Sequence, residues 1–126
     1  MGLLGRRRWR ARQRVRLSAV ADRIGARNGS VLKDEFSGGT GFNGPLTLGV
    51  ITLRKGSPVE ISREQIDAAL AIGYTRPSPP PCDQVCGFAV TPDLPVLHIK
   101  TYAAGKVIPH HGEVPEGQTG VSVSLT

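Results

Sequence analysis

Residues 46–73 read LTLGVITLRKGSPVEISREQIDAALAIG, and they contain the strongest local signals in the chain. Residues 46–53 have the period of a strand, in which one face carries Leu46, Leu48, Val50 and Thr52 and the other carries Thr47, Gly49, Ile51 and Leu53. Ser62 is followed three residues later by Gln65, and this spacing is that of a capping box at a helix N-terminus. The stretch therefore predicts a strand, a turn and a helix over residues 63–72, ending near Gly73.

Shorter patterns flank this unit. A turn over residues 54–58 leads into a predicted strand at 59–61, and the proline-rich run 76–81 predicts a polyproline II crossing or an exposed linker. Period-two patterns predict further strands, with a loop over 112–120 before the last one. These strands cover residues 85–91, 94–102, 106–108 and 121–125.

The composition indicates a small, turn-rich domain. Of 126 residues, 39% are hydrophobic, and there are 16 glycines and 10 prolines. A chain of this length is expected to form one domain, and it has no run of about 18 apolar residues that would span a membrane. We predict an α+β fold, mainly β: a small single domain of short strands with one capped helix and an N-terminal basic helix or arm. Residues 1–28 form the arm, 29–45 a glycine-rich linker and 46–126 the compact body.

Charge is divided sharply along the chain. Residues 1–28 contain nine arginines and one acidic residue, a net charge of +8, whereas the other 98 residues carry a net charge of −2. Leu17, Val20, Ala21 and Ile24 form an apolar stripe at helical spacing, so the second half of the arm is expected to pack on the body. The arginines of the first half would encircle a helix, or four of them would line one edge of an extended chain. Either conformation suits a polyanion.

The predicted polyanion site is this arginine cluster. Arginine donates bidentate hydrogen bonds to phosphate, and a tryptophan among arginines can stack on an unpaired base or on a guanidinium plane. Nucleic acid is the favoured partner; an acidic protein surface, or a membrane surface or targeting role, are the alternatives. The predicted contact residues are Arg6, Arg7, Arg8, Trp9, Arg10, Arg12, Arg14 and Arg16.

No metal, cofactor or catalytic site is predicted. Cys82 and Cys86 have a spacing that zinc ligands can adopt, with His110 and His111 as distant candidates, but two ordinary cysteines are favoured over a zinc site or a local disulfide. The pair of histidines near Glu113 lies among prolines and glycines, which indicates an exposed loop rather than a catalytic pocket. A flexible connection is favoured over a phosphate-binding loop for the glycine run 38–44. We therefore expect a protein that is not an enzyme.

Two segments resemble part of a known family. Residues 61–69, followed by residues 88–95, resemble the helix and following strand of a large-subunit ribosomal protein family that begins with a basic segment and binds ribosomal RNA. This chain lacks the glycine- and lysine-rich loop and the C-terminal helix of that family. The resemblance implies RNA binding.

The function expected from these features is structural. A basic arm joined to a compact body resembles the organisation of viral coat proteins and ribosomal proteins. The acidic body favours a virion or capsid-associated component, with neighbouring subunits as partners, over a ribonucleoprotein. An adaptor whose arm docks on an acidic protein is a further alternative, and a small zinc-stabilised domain is less favoured. Because the N-terminus has no apolar signal-peptide core, we expect the protein inside the cell or within an assembled particle.

Overall fold

The computed structural model describes residues 2–40 and 44–126; the predicted linker therefore lies partly outside the described residues, at positions 41–43. Within these residues, two helices and six strands form an α+β fold that is mainly β, as the sequence predicted. The helices are α1 (Leu3–Arg23) and α2 (Pro58–Ala71). The strands are β1 (Ser30–Ser37), β2 (Thr47–Lys55), β3 (Leu97–Tyr102), β4 (Val107–Ile108), β5 (Gly112–Glu113) and β6 (Gln118–Leu125).

Four strands form one antiparallel sheet in the order β1-β2-β6-β3. The apolar side chains of β2, β3 and β6 that point to one face join the buried side chains of α1 and α2 in a single core. The alternation predicted for β2 and β3 is confirmed, since Leu48, Val50, Leu97 and Ile99 are all buried. Among the described residues, no helix is both long and apolar enough to cross a membrane.

The small β4–β5 hairpin covers one end of the opposite face of the sheet. Gly120 of β6 is buried there, and a Cβ atom at this position would lie 2.6 Å from Ile108 Cδ1 and 3.3 Å from Val114 Cγ2. Only glycine allows the hairpin to approach the sheet this closely. The hairpin replaces part of the loop that the sequence predicted over residues 112–120.

Helix α2 begins earlier than predicted. Ser57 is the N-cap: its Oγ accepts from the backbone N–H of Glu60 and donates to the Glu60 carboxylate, while Pro58 occupies the first turn. The predicted strand at 59–61 is therefore wrong, because these residues form the first turn of the helix. Ser62 is buried inside the helix and donates to the Pro58 carbonyl. The predicted end is confirmed by Ile72 at the C-cap and Gly73 at a φ of 115°.

Two other sequence predictions fail. Residues 30–37, assigned to the linker, form β1, a full-length partner of β2. Residues 85–91 do not form a strand, since Cys86 makes only an isolated bridge to Ile99. The proline-rich run before this segment lies outside the helices and strands, as predicted, and brings the chain across the outer edge of β3.

Candidate nucleic-acid interface

The N-terminal half of α1 presents cations on every side. Successive residues of a helix are rotated by 100°, so Arg6, Arg7, Arg8 and Trp9 point in four different directions, and all four are exposed. Further along, Arg12 and Arg14 are exposed, while Arg10 and Arg16 are half-buried on the side that faces the body. The sequence left open whether the arm is helical or extended, and the structure shows a helix.

The C-terminal half of α1 attaches this cationic segment to the body. Leu17, Val20, Ala21 and Ile24 are buried in the core, which confirms the predicted apolar stripe. The helix ends at Arg23, with Gly25 at a φ of 66° immediately beyond the cap. The arginines before Leu17 therefore extend from a helix whose other end is fixed by packing.

A buried polar cluster around Arg54 fixes the turn that follows α1. The Arg54 guanidinium donates to the carbonyl oxygens of Gly25, Ala26 and Asn28 at 3.0–3.2 Å. Gln65 of α2 accepts from Arg54 at 2.8 Å and donates through Nε2 to the Ile24 carbonyl at 2.6 Å. The positive charge of Arg54 also stabilises this end of α1, because the C-terminus is the negative end of the helix dipole. The end of α1 is thus held by β2 and α2 together.

Arg27 forms a second attachment on the outside of the protein. Its guanidinium contacts Asp22 Oδ1 at 2.6 Å and Asp34 Oδ2 at 2.7 Å, and it also donates to the hydroxyl of Ser18. The hydrogen bond to Asp34 is the largest influence on Arg27 and raises its pKa, with Asp22 acting in the same direction. Arg27 and Asp22 therefore neutralise charge within the fold, although both lie in the predicted basic arm.

One arginine of the predicted site also contacts the sheet. The guanidinium carbon of Arg14 lies 5.5 Å from the centre of the Phe36 ring of β1, which is a cation–π distance. Arg16 approaches the side-chain oxygen of Gln13 at 3.5 Å. In residues 2–40 and 44–126, neither of the two ion pairs involves an arginine between positions 6 and 16.

Cys82 and Cys86 form a disulfide. The expectation of two ordinary cysteines is therefore wrong, and the local disulfide, the less favoured alternative, is present. Cys82 and Cys86 are both buried, and their loop lies on β3: the Thr101 N–H donates to the Cys82 carbonyl, and Cys86 exchanges two backbone hydrogen bonds with Ile99. His110 and His111 are exposed in the turn between β4 and β5. Within the described part of the chain, no three residues of metal-binding type are grouped as a possible site.

The sequence does not identify Arg54 and Gln65 as the residues that hold the C-terminal end of α1. Local patterns place Arg54 in a turn and Gln65 in a capping box. The carbonyl oxygens that they bind are 26–41 residues away in the sequence. A long polar side chain at an inward position of β2 was the only available signal.

Comparison with known protein families, with curated proteins and with solved structures finds no match for this chain. Of the two segments that resemble the ribosomal protein family, residues 61–69 lie in α2, but residues 88–95 lie outside the described strands. The helix-then-strand arrangement on which the resemblance depends is therefore not present.

Proposed function

We propose that this chain is a non-enzymatic structural component of a nucleic-acid-containing assembly, with a virion or capsid as the favoured setting. In this proposal, the N-terminal half of α1 binds phosphates, and the body contacts neighbouring subunits. The observation that carries the proposal is the anchored helix with exposed arginines on all sides.

The charges explain why a polyanion is the preferred ligand. Seven arginines lie between positions 6 and 16, and this segment contains no acidic residue. A helix that is cationic on all sides cannot bury a face in a protein core, so its counterions must come from outside the fold. Phosphates fit the planar, bidentate guanidinium groups, and each phosphate that is neutralised releases condensed counterions.

The anchoring of α1 supports a structural role. A flexible tail loses conformational entropy when it binds, whereas a helix already fixed by Arg54, Gln65 and Arg27 loses little. Residues 29–126 together have a net charge of −2 and are poorly suited to lying within RNA, which favours the surface of a particle over the interior of a ribonucleoprotein.

The test compares the salt dependence of binding for two variants that each remove four positive charges. The first changes four exposed arginines of α1, and the second changes four exposed cations of the body. The α1 variant is Arg6→Gln, Arg7→Gln, Arg8→Gln and Arg12→Gln. The control variant is Lys55→Gln, Arg63→Gln, Arg76→Gln and Lys106→Gln.

Fluorescence anisotropy with random-sequence duplex DNA and single-stranded RNA measures the affinity at several salt concentrations. For the α1 variant, the magnitude of the log–log slope on duplex DNA should fall by about 0.9 for each phosphate that the helix no longer neutralises, while the control should keep the slope of the unchanged protein. Equal reductions in the two variants would contradict the proposal. Equal competition by poly-glutamate, a polyanion without phosphates, would instead favour docking on an acidic protein.

Mass measurement of the complexes tests the assembly role. We expect nucleic acid to drive the purified chain into particles of discrete, repeated stoichiometry. Saturation of one structured RNA by a single copy would contradict the virion setting and favour the ribosomal-type alternative.

A further inference from the structure

Strand β1 forms one edge of the sheet. Its inner side pairs with β2 from Ser30 to Ser37, and no other described strand pairs with its outer side. Most of its residues are exposed. An edge strand of eight residues presents unpaired backbone groups to which another strand can add.

The charged residues of β1 lie on known faces of the sheet. Asp34 and Phe36 pair with Val50 and Leu48, whose side chains point into the core, so both lie on the face that carries the helices. Lys33 and Glu35 pair with Ile51 and Gly49 on the opposite, open face. Opposite charges therefore stand two residues apart on the same face of an edge strand.

We propose that β1 pairs with β1 of a second copy of this chain, antiparallel, around a two-fold axis at Asp34. In this register, Lys33 of each copy lies opposite Glu35 of the other copy, so the interface contains two opposite-charge pairs on the open face. Opposite charges directly across a strand pair are stabilising, whereas like charges there are destabilising. The two four-stranded sheets become one sheet of eight strands.

The alternation of side chains makes this register specific. A shift by one residue would place residues of the open face opposite residues of the helix face, which turns the second copy over and removes the two-fold symmetry. A symmetric pairing centred one residue earlier sets Lys33 against Lys33, and one centred one residue later sets Glu35 against Glu35. The axis at Asp34 is thus the symmetric position that joins unlike charges in both directions.

The two Asp34 side chains that meet at the axis are each compensated within their own copy. Arg27 Nε lies 2.7 Å from Asp34 Oδ2, and another nitrogen of the same guanidinium contacts Asp22. The β-bulge between Val31 and Lys33 limits pairing to the segment that begins near Leu32. Charges and bulges on edge strands commonly prevent pairing with unrelated strands, and here their arrangement permits a second copy.

The dimer would gather the cationic helices on one side. A two-fold axis perpendicular to the sheet keeps the helix-covered faces of both copies on the same side. Two α1 helices would then face the same polyanion, which extends the neighbouring-subunit part of the proposed function. The pairing itself requires no nucleic acid, so the two proposals can be tested separately.

Charge reversal and its rescue test this interface. Sedimentation velocity of nucleic-acid-free protein at low ionic strength should show a reversible dimer. Lys33→Glu and Glu35→Lys should each weaken it by about ten- to hundred-fold, because each change replaces two attractive pairs with two repulsive pairs. The protein with both changes should recover the affinity to within about three-fold, because the pairs are restored with the charges exchanged.

Lys106→Glu and Glu116→Lys supply matched controls at exposed positions away from β1, and they should leave the dimer unchanged. Circular dichroism and thermal unfolding of every variant separate a disrupted interface from a disrupted fold. A monomer at all concentrations, a dimer insensitive to the single reversals, or failure of the double reversal to restore it would each overturn the pairing. These outcomes leave the salt-slope test of α1 unaffected.

Discussion

The guanidinium of Arg54 donates a 2.8 Å hydrogen bond to the side-chain oxygen of Gln65, and both side chains are almost completely buried. This bond joins β2 to α2, and each residue also binds carbonyl oxygens just beyond α1. Burial is the main influence on Arg54 and lowers its pKa, while the charge of Glu64 opposes this effect. The contact therefore connects three elements that are separate in the sequence.

Replacement of Arg54 by methionine should destabilise the protein strongly. Arg54→Met introduces an apolar side chain of similar length but leaves Gln65 and three carbonyl oxygens without their donor. We expect a decrease of about 3 kcal/mol in the free energy of unfolding, measured by urea denaturation. Arg63→Met on the exposed side of α2 should change it by less than about 0.5 kcal/mol. Similar decreases in the two variants would show that the buried cluster does not stabilise the fold.

The two serines near the start of α2 should differ in their contribution. Ser57→Ala removes the N-cap and should lower the free energy of unfolding by about 1 kcal/mol. Ser62 is inside the helix, where alanine is favourable, so Ser62→Ala should have a smaller effect even though it removes the hydrogen bond to Pro58. Paired urea denaturation curves make the comparison, and a larger decrease for Ser62→Ala would place the helix start where the sequence pattern alone suggested.

Tyr74 should make the stability fall at high pH. Its hydroxyl is buried and donates to the Pro95 carbonyl, and burial raises its pKa to about 12. Because an unfolded tyrosine ionises near pH 10, its stabilising contribution is complete below about pH 10 and is lost as the pH rises towards 12. The free energy of unfolding should therefore fall more steeply in this range for the unchanged protein than for Tyr74→Phe. Parallel pH profiles would contradict buried ionisation of Tyr74.

Reduction of the disulfide should loosen the loop beside β3. The disulfide between Cys82 and Cys86 closes a short loop. In the chain-entropy account, its reduction is expected to lower the free energy of unfolding by about 2 kcal/mol. Hydrogen exchange should accelerate at the amides of Ile99 and Thr101, which donate to this loop. The variant with both cysteines changed to alanine serves as the control, since a reductant should not alter its stability. An unchanged urea midpoint after reduction of the natural chain would show that the loop is held by its hydrogen bonds alone.

Local patterns predicted those elements whose side chains have a regular environment. The alternation in β2 could be recognised because one of its faces is fully buried. Helix α2 could be recognised because Ile66 and Ala69 line its inward side. Strand β1 was missed because an edge strand that is largely exposed has no clear alternation. The start of α2 was misplaced because two serines, each followed three residues later by Glu or Gln, compete as caps.

Three features can be read from the amino-acid sequence alone, because each depends only on composition or on spacing within one element: the separation of charge, the mixed α+β class and the apolar stripe that attaches α1 to the body. How the arginine helix is held, and which strand remains at the edge, follow from contacts between elements that are distant in the sequence. Those properties depend on Arg54 reaching carbonyls 26–29 residues away and on β6 entering the sheet between β2 and β3. These carbonyl partners and strand neighbours depend on the packing of the whole chain, so a local sequence pattern does not predict them.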